Sequence, residues 1–115
     1  MGLQSFSILT LTATAAGTIA SARFVTPAGA QAGADANTLG VSQMAAVAGD
    51  KIAVDVIGTA TVEAGAAIAA GATLKSDASG RAITWASSGA KVALALEAAS
   101  GAGAFIEVLL IQNAA

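Results

Sequence analysis

The stretch from Gly49 to Gly80, GDKIAVDVIGTATVEAGAAIAAGATLKSDASG, constrains the chain most severely. Ile52, Val54 and Val56 alternate with small or polar residues, the period of a strand with one buried face. Beyond Val56, glycines cut the stretch into short extended pieces. Asp and Lys occur singly among Ala, Gly, Val, Ile and Thr, so the segment is β-forming and carries nothing of a catalytic loop.

The same rhythm runs on from Arg23. Predicted strands cover Arg23–Thr26, Leu39–Met44, Lys51–Ile57, Ala60–Glu63, Thr73–Ser76, Arg81–Trp85, Lys91–Glu97 and Phe105–Gln112. Breaks fall at Pro27-Ala28-Gly29, Ala48-Gly49-Asp50, Gly58, Ala64-Gly65, Ala78-Ser79-Gly80, Ser88-Gly89 and Gly101-Ala102-Gly103. Turns at such short intervals predict a mainly β chain folded as a compact small β-barrel or β-sandwich. Ala66–Ala70, bounded by Gly65 and Gly71, leaves room for at most one short helix. Phe105–Ile111 is almost unbroken apolar and is expected to be a central strand. Ala46–Val56 and Ala86–Leu96 share Gly-x-Lys followed by alternating aliphatics, which fits either a repeated turn-and-strand unit or coincidence in an Ala- and Gly-rich chain.

Residues 1–22 carry no charge. Gln4, Ser5, Ser7, Thr10, Thr12, Thr14, Thr18 and Ser21 interrupt the apolar residues too often for a membrane-spanning helix. Ala20-Ser21-Ala22 has the form of a signal-cleavage site, but no Lys or Arg precedes the apolar run. An extended reading fits better: Phe6, Ile8, Thr10 and Thr12 share one face, and Ser7, Leu9, Leu11 and Ala13 the other. A segment apolar on both faces and rich in β-branched Thr suits a strand added to a neighbour's sheet. We therefore expect an extended N-terminal arm over 1–22 and a single β domain over 23–115. The expected contact residues are Phe6, Ile8, Leu9, Thr10, Leu11 and Thr12.

Composition narrows the function. The chain has 115 residues, enough for one small core. Its 56% hydrophobic content overstates that core, because roughly thirty of those residues are Ala, each burying little area. Only 10% of residues are charged, so much of the exterior is small, neutral and prone to association. A net charge of −2 with scattered Arg23, Lys51, Lys75, Arg81 and Lys91 offers no cationic track for nucleic acid. With no Cys and no His, disulfides, thiolate nucleophiles, imidazole bases and Cys/His zinc sites are all excluded.

The remaining candidates for chemistry are few. No G-x-x-x-x-G-K-[ST] phosphate loop occurs: Gly65 to Gly71 is followed by Ala72, and Gly101-Ala102-Gly103 runs into a strand. A hairpin turning at Gly101–Gly103 would set Glu97 opposite Glu107, the arrangement of an acid–base pair, although like charges so opposed also destabilise a sheet. Asp77-Ala78-Ser79-Gly80 and Asp50 read as turn residues, without the further acids of a calcium loop. Trp85, the only Trp, fits a core position by default and a ligand platform or interface anchor otherwise. A small-ligand or carbohydrate-binding β module is thus the alternative to a contact protein.

Taken in order, several short motifs are familiar together. They are Ala22-Arg23-Phe24-Val25, Gly40-Val41, Ala48-Gly49-Asp50, Val54-Asp55-Val56-Ile57-Gly58-Thr59-Ala60, Glu63-Ala64-Gly65, Ala67–Gly71, Ser76–Ala82, Ala95–Ser100 and Val108-Leu109-Leu110. Over roughly residues 8 to 112 the chain resembles the small capsid decoration (cement) proteins of tailed bacteriophages. Gly89-Ala90-Lys91-Val92-Ala93-Leu94 departs from the family pattern around its strand. The resemblance implies a compact β domain with an extended arm that binds the outside of the expanded head over junctions between major capsid proteins. It implies a non-enzymatic virion protein, made in the host cytoplasm, with no cofactor and no metal. Its partners would be the major capsid protein and further copies of itself, a trimer being favoured over a dimer, with no nucleic acid and no membrane.

Overall fold

A computed structural model describes residues 6–114 and is built from strands and turns, with no helix among the described residues. The strands are β1 (Ser7–Thr14), β2 (Arg23–Val25), β3 (Gly40–Ser42), β4 (Lys51–Glu63), β5 (Thr73–Ser76), β6 (Ala82–Thr84), β7 (Lys91–Ala95) and β8 (Phe105–Ala114). They join in one sheet of order β2-β3-β4-β8-β7-β5-β6, with β1 paired to β4 beside that path. All strand pairings are antiparallel. The two ends of the order curl toward each other: Phe24 N–H at β2 donates to Gly80 O beside β6 at 2.8 Å. A parallel bridge from Ala64 to Ala82 helps draw the sheet into a nearly closed barrel.

β4 is the spine. Ile52, Val54, Ala60 and Val62 face inward and are buried, while Lys51, Ala53, Thr59 and Thr61 on the opposite parity are exposed or half-buried. The sequence suggested two strands separated by Gly58, but the chain runs through without a break. Gly58 takes φ 114°, where a side chain is strained, and a Cβ there would overlap Phe6 O. A register shift in the facing ladder marks this place as a bulge, which bends a strand rather than ending it. β8 lies between β4 and β7, central in the order.

Two apolar clusters fill the interior. The larger gathers Phe24, Val41, Val62, Leu74, Val92, Ile106 and Val108 with several alanines. The smaller holds Ala15, Ile19, Val25, Ala46, Ile52 and Val54. The latter draws the segment after β1 into the body, since Ala15 and Ile19 are fully buried. Ala66–Ala70 is irregular and not helical, because Ile68 bridges to Ala99 through two backbone hydrogen bonds.

Where the barrel closes, four charged side chains meet. Glu63 at the end of β4 takes Arg23 at 3.2 Å and Arg81 at 3.6 Å, and Arg23 also donates to Ser79 O. Arg81 Nε lies 3.3 Å from Asp77 Oδ2 without hydrogen-bond geometry, so that pair acts through charge alone. Asp77 serves as a turn residue, accepting the backbone N–H groups of Ser79 and Arg81, with Gly80 at φ 75°. Asp50 likewise accepts the Val47 N–H.

Candidate functional site

A single strand partner leaves β1 the most exposed strand. Its register sets Leu11 and Ala13 opposite Val54 and Ile52 on the inward side, and Thr10, Thr12 and Thr14 opposite Asp55, Ala53 and Lys51 on the outward side. Two of the outward threonines are held by polar contacts: Thr10 donates to Asp55 Oδ1 at 3.1 Å, Ser7 and Thr10 share a hydrogen bond of 2.7 Å, and Lys51 donates to Thr14 at 2.6 Å. The apolar side chains are less well covered. Phe6 is 66% and Ile8 80% exposed, and Leu9 and Leu11 are about half as exposed as Ile8.

The strand expected to join a neighbour's sheet thus pairs, along one edge, with β4 of its own chain. Among the described residues no strand occupies its other edge. The six sequence-chosen residues, Phe6, Ile8, Leu9, Thr10, Leu11 and Thr12, all lie on or beside β1 and are all exposed. The arm before Phe6 lies outside the described residues.

A second exposed apolar surface adjoins the first and was not read from the sequence. Leu9 faces Ile57 across the ladder, and Thr59, next on that face of β4, faces Leu109. Leu109, Phe105 and Ile111 project from β8 on the side away from the core, while Ile106, Val108 and Leu110 fill the larger cluster. A central strand in an antiparallel sheet needs only one covered face. The unbroken apolar run therefore hid an outward-facing row, and the absence of any further segment long enough to cover it was the available signal.

The acid pair does not form. Ala95 pairs with Val108 and Leu96 N–H donates to Glu107 O, so Glu107 is one residue out of register with Glu97. The Glu97 carboxylate instead accepts the backbone N–H of Glu107 at 2.7 Å. Glu107 itself is 3% exposed, its Oε1 lacking a hydrogen-bond partner. No pocket opens and no group of three or more potential metal-binding side chains gathers among the described residues.

Trp85 sits half-buried outside both core clusters. Lys91 Nζ lies 4.5 Å from its ring centroid, and its indole N–H donates to Gly89 O. One face of the ring is thereby covered by a cation, an arrangement that stabilises the loop and leaves less of the ring to stack on a sugar.

The fold has a counterpart in bacteriophage phi29. The crystal structure of the N base of its head fiber protein gp8.5 matches with a TM-score of 0.73 at 19% identity, over 93% of this chain and 97% of that one. No curated protein sequence matches the chain. The profile of the phage cement proteins matches residues 3–110, nearly the whole of the β body together with β1. The chain belongs to the phage cement protein family.

Proposed function

We propose that this protein decorates the outer surface of an expanded phage head, binding over junctions between major capsid proteins and stabilising the shell without catalysis. The observation that carries the reading is the exposed apolar row of Phe6, Ile8, Leu9 and Leu11 on a strand with a free edge, continuous with Ile57 and Leu109, in a cement-family chain. An edge strand offers backbone hydrogen bonds and its side chains offer area, the two parts of recognition by strand addition. A protein–protein interface of standard size buries about 1,600 Å² in total. If the capsid subunits present that area together only in the mature arrangement, binding shifts the equilibrium toward that arrangement by linkage. The sparse charge favours self-association as well, a trimer over a dimer, which suits a threefold or quasi-threefold position.

Substitution tests this more cleanly than truncation, because deleting residues 1–15 would also uncover Ile52 and Val54. The double variant Phe6→Lys with Ile8→Lys places two charges on side chains that already face water. Its melting temperature should match that of the parent, while its binding to expanded heads lacking the protein should fall at least about tenfold, the effect of losing ~1.4 kcal/mol. Undiminished binding would remove β1 from the contact.

A further inference from the structure

The geometry points to an internal duplication: we infer that the chain consists of two copies of one β unit, residues 7–55 and 56–109, fused end to end through β4. The registers coincide pair for pair. Thr10↔Asp55, Leu11↔Val54, Thr12↔Ala53, Ala13↔Ile52 and Thr14↔Lys51 in the first unit become Thr59↔Leu109, Ala60↔Val108, Thr61↔Glu107, Val62↔Ile106 and Glu63↔Phe105 in the second. Phe24↔Val41 and Val25↔Gly40 become Thr73↔Leu94 and Leu74↔Ala93. Val41↔Asp55 and Ser42↔Val54 become Leu94↔Leu109 and Ala95↔Val108.

The irregular segments repeat as faithfully as the strands. The isolated bridge Ile19↔Ala46 recurs as Ile68↔Ala99. Ala15 donates to Asp50 O and receives Gly49 N–H, as Ala64 donates to Ala104 O and receives Gly103 N–H. Ala22 and Gly71 both have positive φ, and so do Gly49 and Gly103. Under the same alignment Ile8, Thr10, Thr12, Ala15 and Ile19 meet Ile57, Thr59, Thr61, Ala64 and Ile68. Gly49, Ile52 and Val54 meet Gly103, Ile106 and Val108, with one residue inserted before Gly103. The echo between Ala46–Val56 and Ala86–Leu96 is not this repeat, since Val54 corresponds to Val108. β6 lies in the longer connection of the second unit.

These pairings assign β4 to both units. β1 corresponds to the second half of β4, and the first half of β4 corresponds to β8. β1 and β8 flank Thr59 from opposite edges of β4: the Thr59 N–H donates to Phe6 O, whereas Ala64, of the other parity, donates to Ala104 O on the β8 side. β8 runs on past Leu109 beside β7 as far as Ala114, so the two units are joined through β4, and β8 does not lead into β1. The units have diverged on their outward faces, where Lys51 and Asp55 of the first stand at the places of Phe105 and Leu109 of the second. The apolar outer face draws on both units, Ile8, Leu9 and Leu11 coming from the first and Ile57, Phe105 and Leu109 from the second.

Exchange of equivalent segments in the full chain tests the duplication. One variant replaces the turn Ala46–Asp50 with the sequence of its counterpart Ala99–Ala104, which sets Gly103 at the place of Gly49, where φ is positive in both units. A second carries the same six residues with that glycine moved one place along. Duplication predicts that the first keeps the β circular-dichroism spectrum and melts cooperatively within about 10 °C of the parent, and that the second melts lower than the first. Unfolding of the first, or equal melting of the two, would overturn the inference.

Discussion

At the scale of single residues, the fold depends on positions where a side chain is missing. Gly58→Ala would put a Cβ onto Phe6 O in a conformation that few L-residues adopt, at a cost of about 1–3 kcal/mol for the backbone alone before any clash. The expected result is a lower denaturation midpoint in urea. Gly17→Ala and Gly101→Ala, with ordinary φ and nothing near the added atom, serve as controls that should not lose stability. Gly40 shows a different constraint: its φ is unexceptional, but a Cβ would collide with Asp55 O where β3 packs on β4. Glu63 is the other sensitive point. Glu63→Ala leaves the guanidinium groups of Arg23 and Arg81 without their shared carboxylate at the barrel seam. Hydrogen bonds to charged groups contribute roughly 1.5–3 kcal/mol each, so a loss of about 2 kcal/mol, read from the urea midpoint, is expected for these partly buried partners. An unchanged midpoint would show that the seam is held by backbone bonds alone.

At the scale of elements, β1 and β8 carry the functional reading, and they were legible to different degrees. The alternation around Phe6–Ala13 suffices to call a strand and to find its exposed residues, because a strand's faces follow from its period. It does not reveal the partner, since pairing with β4 of the same chain depends on a register set far away by Gly58 and Asp55. β8 was legible as central from its apolar run, yet its open face was hidden by the same run. Glu97 and Glu107 do not oppose each other: the ladder runs one residue out of that register, as the repulsion of like charges across a sheet favours, and one step in register moves a side chain to the other face. The repeat was missed for a related reason. Alanine and glycine make many false echoes, while the true one is distributed over Ile, Thr and Val positions whose meaning appears only when the ladders are laid side by side. The element-level test of β8 is Leu109→Lys. It should leave the fold intact, since that side chain is 38% exposed, and weaken head binding in proportion to the area lost from the patch.

At the scale of the whole molecule, the two units make a rigid barrel of 35 × 28 × 24 Å with little charge and one apolar exterior face. Such a body has much to press against a neighbour. On the proposed reading the protein acts through mass action: each copy that binds the mature shell and not its loosened form adds to the free energy of disruption, and many weak contacts around a closed shell sum to a large one. Stability of the free protein and stability of the shell are therefore separate quantities. Surface variants on β1 and β8 should alter the second and spare the first, whereas Gly58→Ala and Glu63→Ala should alter the first.

The most direct measurement mixes the purified protein with expanded heads that lack it, sediments the heads, and counts bound copies per major capsid subunit alongside the temperature at which the heads rupture. Saturation at a fixed simple ratio, with a raised rupture temperature that falls back for the Phe6→Lys/Ile8→Lys variant, is the expected result. Absence of saturable binding to matched heads, or binding that leaves the rupture temperature unchanged, would contradict a cementing role.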